Sequence, residues 1–288
     1  MALPVVRTVS HLRDAVRRWR RKNRKIALVP TMGGLHEGHL SLVRLARKNA
    51  DRVIVSIFVN PTQFGPDEDF ENYPRDEHGD NRLLSKAGAD LVYAPSILEM
   101  YPNDFATRVE VAELTQCLCG TSRPHFFAGV TTVVTKLFLQ SLPDIAVFGE
   151  KDYQQLLVIR QLVKDLNFPI EIIGGPIVRE ADGLAMSSRN AYLSEADRAT
   201  APQLYKVLSD MAEDLGAGRD VESTLAMGAN RLRGAGFRID YLDVRTDDTL
   251  IPLEGQVVDS ARIFAAVWLG ETRLIDNVPI HLIDDPVV

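Results

Sequence analysis

Two hydrophobic periods alternate along this chain, and that alternation limits the folds open to it more than any other feature. Ile26–Val29, Val53–Val59, Leu91–Ala94, Ile145–Phe148 and Ile170–Ile173 are short runs dominated by apolar, often β-branched residues. Such runs are the mark of strands covered on both faces. Between them lie apolar stripes at helical spacing. Leu12, Ala15, Val16 and Trp19 form the first, and Leu40, Val43, Leu45 and Ala46 the second. Val130, Val133, Val134, Leu137 and Phe138 form the third, and Leu156, Ile159, Leu162 and Val163 the fourth. Strand followed by helix, repeated, predicts an α/β fold with a parallel sheet covered by helices on both sides.

The pattern changes near residue 186. Long helical stretches are expected at Glu195–Leu215 and Val221–Ala235, then strands at Arg238–Val244, Arg262–Leu269 and Arg273–Ile275. Helices followed by consecutive strands predict a smaller α+β domain with an antiparallel sheet. The expected division is therefore a parallel α/β domain over 1–186 and a smaller α+β domain over 187–288. A chain of 288 residues accommodates two such domains.

Composition narrows the function classes. No apolar run approaches the ~20 residues of a membrane-spanning helix. The N-terminus lacks an apolar signal core, so a cytoplasmic protein is expected. Two cysteines, Cys117 and Cys119, make neither a disulfide framework nor a four-ligand zinc site. The net charge of −6 argues against a general nucleic-acid binder. That charge is uneven: residues 1–179 carry +3 and residues 180–288 carry −9. An anionic ligand is better hosted by the first part. Arg13 to Lys25 contains eight basic residues, but Leu12, Ala15, Val16 and Trp19 give the segment an apolar side. It reads as the wet face of a surface helix.

Four segments carry candidate chemistry, each just after a strand or loop. Pro30-Thr31-Met32-Gly33-Gly34-Leu35-His36-Glu37-Gly38-His39 follows the first buried run and opens a helix. Glycines permit a tight turn, and a helix N-terminus offers backbone N–H groups to a phosphate. The spacing of His36 and His39 differs from the His-Glu-x-x-His zinc motif, and no Gly-Lys-Ser/Thr ends a Walker loop. Nucleotide binding and a plain His-containing turn are both consistent with the spacing. Gly149-Glu150-Lys151-Asp152-Tyr153-Gln154-Gln155 follows another strand, at the sheet edge where open α/β folds bind ligands. Lys151 offers a point charge, Asp152 an acceptor for ribose hydroxyls, and Gln155 a donor and acceptor. Met186-Ser187-Ser188-Arg189-Asn190 presents two hydroxyls and a guanidinium, suited to a polyphosphate. Asn60-Pro61-Thr62-Gln63-Phe64-Gly65 places amides at the same sheet edge. Taken singly, each of the last three reads equally as a solvated turn.

Together these segments resemble the adenylate-forming, His-x-Gly-His nucleotidyltransferase superfamily. With His125-Phe126-x-x-Gly129-Val130 and Arg179-Glu180-x-Asp182-Gly183-Leu184-Ala185 added in order, the chain is similar to the pantothenate synthetase (pantoate–β-alanine ligase) family over roughly residues 5–285. The resemblance implies a Rossmann-like domain, a smaller C-terminal domain and a homodimer. It implies ATP-dependent joining of pantoate and β-alanine through pantoyl adenylate, with ATP as substrate, Mg²⁺ as the metal, and neither nucleic acid nor membrane as partner. It also implies an ATP site made of Pro30, Met32, Gly33, Gly34, Leu35, His36, Glu37, Gly38, His39, Gly149, Glu150, Lys151, Asp152, Val178, Met186, Ser187, Ser188 and Arg189. His36, His39, Lys151 and Arg189 would serve catalysis by meeting phosphate charge, His39 being the position usually given proton-donor character. Gln63, Gln155 and Asn60 would bind substrate, and Asp80 is the candidate for helping to hold Mg²⁺. Gly34 stands where many relatives carry a bulkier residue. The alternative within the superfamily is a nucleotidyltransferase acting on a phosphorylated small molecule; a nucleotide-sensing module would bind ATP without releasing AMP.

Overall fold

Six strands form the expected parallel sheet. In chain order they are β1 (Val5–Val6), β2 (Ile26–Thr31), β3 (Arg52–Ile57), β4 (Leu91–Tyr93), β5 (Ile145–Gly149) and β6 (Glu171–Gly175). They pair, all parallel, in the order β1-β4-β3-β2-β5-β6. The structure is a computed structural model that describes residues 3–66 and 68–282. Its helices in this part of the chain are α1 (Val9–Arg20), α2 (Glu37–Asn49), α3 (Glu77–Ala87), α4 (Ile97–Met100), α5 (Cys119–Ser122), α6 (Phe126–Ser141) and α7 (Tyr153–Asp165). No described helix is long and apolar enough to cross a membrane.

The strand order places the site. From β2 the chain moves one way to β3 and β4, then returns to add β5 and β6 on the other side of β2. The direction of winding therefore reverses between β2 and β5, and open α/β sheets bind ligands beyond the carboxyl ends of strands at such a point. The Gly33–His39 loop leaves β2, and the Glu150–Asp152 turn leaves β5.

The chain divides into two compact units. The first runs to Gln116 and also takes in Arg123–Glu150 and Gln155–Val178. The second takes in Cys117–Ser122, Lys151–Gln154 and the chain from Arg179 onward. In the first, Ala27, Val29, Val53, Val55, Val92, Ile145 and Val147 pack with Leu40, Val43 and Ala46 of α2. Helix α1 buries Leu12, Ala15 and Val16 and turns its arginines outward, as its stripe predicts. One of them, Arg20, pairs with Asp144 at 2.6 Å. Helix α6 buries residues on every side, including Thr131, Thr132 and Thr135, so a one-sided stripe understates its burial.

The second unit holds α8 (Glu195–Thr200), α9 (Gln203–Gly216) and α10 (Val221–Gly234) beside the antiparallel strands β7 (Arg238–Thr246), β8 (Ala261–Leu269) and β9 (Thr272–Ile280). The helix expected over Glu195–Leu215 is two helices. Pro202 lacks the N–H that would continue the ladder, and it becomes the N-cap of α9. Leu204, Val207, Leu208, Met211 and Leu215 of α9 join Ile263, Ala265 and Val267 of β8 in the core. β9 is longer than the expected Arg273–Ile275. It occupies a sheet edge, where Pro279 is tolerated because a ladder N–H is not required of every residue.

Candidate active site

The loop after β2 is fixed from both ends. Thr31 Oγ1 donates to the Ser56 carbonyl at 2.7 Å and accepts from Gly33 N at 3.3 Å. Gly33 and Gly34 both lie in the left-handed region, with φ of +88° and +63°, which suits residues without a Cβ. That conformation turns successive backbone N–H groups one way. Gly34 N and Leu35 N donate to the two carboxylate oxygens of Asp80 at 3.0 and 2.9 Å. Asp80 sits in the first turn of α3 and is buried. Burial pushes its carboxyl up, the Leu35 and Gly34 N–H groups pull the other way, and the charge of Asp76 adds to the rise. The candidate for Mg²⁺ is thus also the anchor of the glycine loop.

The two histidines form the N-terminal cap of α2. His36 is the N-cap, and its Nδ1 accepts from Gly38 N at 3.2 Å. His39 reaches back, its Nδ1 accepting from His36 N at 3.4 Å. This is a capping box in which imidazoles replace the usual Ser/Thr and Glu/Gln. The rings lie 4.1 Å apart, centroid to centroid. Because Nδ1 accepts in both, each neutral ring carries its proton on Nε2. The caps therefore select the tautomer: each ring presents an Nε2–H donor. Glu37, the next residue, pairs with Arg44 on the helix surface.

The amides of Asn60 and Gln63 have different work. Asn60 is buried, and its Oδ1 accepts from Tyr101 OH at 2.9 Å, Thr62 Oγ1 at 2.9 Å and Thr62 N at 3.3 Å. Its Nδ2 donates to Gln63 Oε1 and to the Gly129 carbonyl, both at 3.1 Å. Asn60 therefore orients Gln63. With its oxygen taken, Gln63 turns Nε2 toward Met32 Sδ at 3.1 Å. Arg123 adds a second hold, donating to the Gln63 carbonyl at 3.0 Å while paired with Glu68. Tyr101 and Arg123 escape a reading of the sequence, because their partners are 41 and 60 residues away and no local period signals them. A Cβ on Gly129 would stand 2.4 Å from the Thr62 carbonyl oxygen, so α6 meets this turn only through a glycine. Gly129→Ala is expected to destabilise the fold by about 1–3 kcal/mol through overpacking, read as a lower urea midpoint at unchanged m. An unchanged midpoint would contradict that contact.

Gln155 lies in the first turn of α7, half-buried. Its neighbour Gln154 is a structural residue: it accepts from Cys119 N at 3.1 Å and donates to the Cys117 carbonyl at 2.8 Å. Gly149 closes β5, and Glu150 lies beside Gly174 of β6. Val178 ends the first unit. Pro30 and Met32 flank the last residue of β2.

The second unit brings Lys151 and Ser187 to one small cavity, also lined by Leu184, Ala185, Asn190 and Asp276. Among the described residues no ion pair engages the Lys151 ammonium. Asp152, beside it, is exposed. Ser187 caps the 3₁₀ turn Ser188–Tyr192, accepting from Arg189 N at 3.3 Å, which sets Ser188 and Arg189 on one tight turn just after Met186. The segment before it is pinned by charge. Arg198 bridges Glu180 at 2.5 Å and Asp182 at 2.6 Å, and Asn190 donates to Glu180 at 2.9 Å. The acidic residues of Arg179-Glu180-x-Asp182 are therefore scaffold.

Known proteins resemble this chain along nearly its whole length. The family model described as pantoate-beta-alanine ligase matches residues 4–279. The chain is 55% identical over 278 residues to the pantothenate synthetase of Rhodospirillum rubrum, covering 96% of this chain and 99% of that one. The crystal structure of the pantothenate synthetase from Thermus thermophilus is 50% identical, with a TM-score of 0.92 over 96% of this chain and 99% of that one. The pantoate-beta-alanine ligase from Francisella tularensis, complexed with beta-gamma ATP and beta-alanine, is 36% identical, with a TM-score of 0.82 over 96% and 98%.

Proposed function

Since the chain belongs to the pantoate–β-alanine ligase family, we propose the following division of labour among its residues in ATP-dependent pantothenate formation. In the first step an oxygen of the pantoate carboxylate attacks the α-phosphorus of ATP. The bond from that phosphorus to the α,β-bridging oxygen breaks, giving pantoyl adenylate and pyrophosphate. In the second, the free amine of β-alanine attacks the acyl carbon, the amine loses a proton, and AMP departs with the oxygen that joined it to the acyl group. The carboxylate needs no base to become a nucleophile, so the first step depends on donors that meet the growing phosphate charge.

The observation that carries this assignment is the double imidazole cap, which leaves Nε2–H as the donor of both His36 and His39. We assign these donors, with Lys151, to the α-phosphate and its departing pyrophosphate. Ser187, Ser188 and Arg189 are assigned to the pyrophosphate, and Asp152 to the ribose. The backbone around Val178 is assigned to adenine, with Met32–Leu35, Gly38 and Gly149 giving close main-chain approach to the nucleotide. Gln63 and Gln155 are assigned to pantoate, Gln63 also facing β-alanine, with Asn60 acting through Gln63. Gln155→Ala is expected to raise the pantoate KM and leave the ATP KM close to unchanged; an unchanged pantoate KM would remove Gln155 from that role.

Magnesium is assigned to the nucleotide. It keeps waters and leans on substrate phosphates with one or two carboxylates. Among the described residues no three His, Cys, Asp or Glu side chains cluster to hold a metal, and Asp80 already accepts from Gly34 and Leu35. The residues present fit an ion carried by ATP, with Asp80 as the candidate carboxylate. When bound, the ion neutralises phosphate charge. We further propose a homodimer working in the cytoplasm, a reading that rests on the resemblance to the family. Sedimentation showing monomer alone would contradict the dimer.

The test of the overall reading is AMP release from ATP, Mg²⁺ and pantoate, with and without β-alanine. Stimulation by β-alanine is expected, and its absence would overturn the proposal.

A further inference from the structure

β9 carries two adjacent polar side chains, Asp276 and Asn277, that are only 3% and 2% exposed. Buried polar groups must find partners, and these find theirs on the segments already described. Asp276 accepts both arms of the Arg179 guanidinium, at 2.6 and 2.9 Å, at the start of the segment leading to Ser187. Asn277 donates from Nδ2 to the main-chain carbonyl of Lys151 at 3.0 Å. Its Oδ1 accepts from Arg262 Nη1 at 2.7 Å.

The amide has no freedom to turn over. A guanidinium only donates and a carbonyl only accepts, so Oδ1 must face Arg262 and Nδ2 must face Lys151. Arg262 is itself held, with Nε donating to Asp247 Oδ1 at 2.8 Å. Its guanidinium also lies over the Tyr153 ring, 3.8 Å from the centroid. The turn that carries Lys151 is thus gripped at two points, the carbonyl of residue 151 and the ring of residue 153.

We propose that Asn277, oriented by Arg262, is a positioning residue for Lys151 in adenylate formation. A lysine ammonium rides on a flexible four-carbon stem, so its aim depends on where the main chain anchors it. Asn277 fixes that anchor without touching substrate. The inference rests on the assignment of Lys151 to ATP phosphate.

The test is a double-mutant cycle on the full-length enzyme. Asn277→Asp keeps the side-chain size and the pairing with Arg262 but replaces the donor facing the Lys151 carbonyl with an oxygen. It is expected to slow adenylate formation by about 10- to 100-fold, the scale of a small misplacement at a reacting centre. The reaction of supplied pantoyl adenylate with β-alanine is expected to keep its rate, a split that general unfolding does not produce. In a Lys151→Ala background the same substitution is expected to cause no further loss. Should Asn277→Asp not fold, Asn277→Ala is measured in the same cycle. Losses that multiply, or equal slowing of both steps, would overturn the role of Asn277. If Lys151→Ala alone leaves adenylate formation intact, the assignment of Lys151 fails instead.

Discussion

Lys151→Ala is expected to slow pyrophosphate release from ATP and pantoate by about 10²–10³-fold, the usual cost of removing one donor to transition-state charge. Three observations set this expectation. Lys151 follows the strand at the reversal of sheet winding, where ligands bind in such folds. It shares a cavity with Ser187, and no ion pair among the described residues engages its ammonium. A cation without a protein carboxylate retains its full attraction for phosphate. The expected loss falls on kcat of the first half-reaction, because phosphate charge grows most as the bond to pyrophosphate breaks. Pre-steady-state release of pyrophosphate separates the steps. Equal losses in adenylate and amide formation would contradict the role.

His36→Asn and His39→Asn carry the second large effect, and they separate two functions that one imidazole performs. Asparagine is among the best N-cap residues, so at position 36 its Oδ1 can replace Nδ1 as acceptor for Gly38 N. At position 39 it offers the same kind of acceptor to His36 N. Neither variant retains the Nε2–H donor. Thermal midpoints are therefore expected to stay near the parent value while adenylate formation falls by about 10²–10³-fold. An alanine at either position would lose both cap and donor and blur the distinction. If the asparagine variants kept full activity, the Nε2–H donors would have no part in the chemistry.

Sequence and structure agree best where the determinants are local. The loop from Gly33 to His39 is legible because its glycines, its helix start and its two imidazoles lie within seven residues of one another. The strands β2, β3 and β5 are legible because burial on both faces leaves a continuous apolar run. What escapes depends on distant partners or on polar groups inside. β1 has two residues, too few to show a period. Helix α3 turns Asp80 inward beside Leu84, so a charge breaks its apolar stripe, and that charge is the anchor of a loop 46 residues earlier. β9 reads only to Ile275 because Asp276 and Asn277 look like a turn in sequence, although both are buried inside the strand. Asn60 is buried, and its hold on the Gln63 amide cannot be seen in the sequence. In each of the last three cases the residue concerned is a polar group inside the fold.

The division of charge keeps its meaning in part. The −9 of residues 180–288 includes Glu180, Asp182, Asp247 and Asp276, and each of these is engaged by an arginine. Those acidic groups build the scaffold of the second unit. The cations assigned to phosphate are few and placed on turns.

On the adenylate route a pantoate carboxylate oxygen becomes bonded to the α-phosphorus of ATP before the amide forms. Labelling that carboxylate with ¹⁸O and analysing the AMP by mass spectrometry follows that oxygen. The expected result is AMP carrying one ¹⁸O per turnover, with unlabelled pyrophosphate. AMP without label, or label recovered in inorganic phosphate beside ADP, would contradict the adenylate route and the roles assigned to His36, His39 and Lys151.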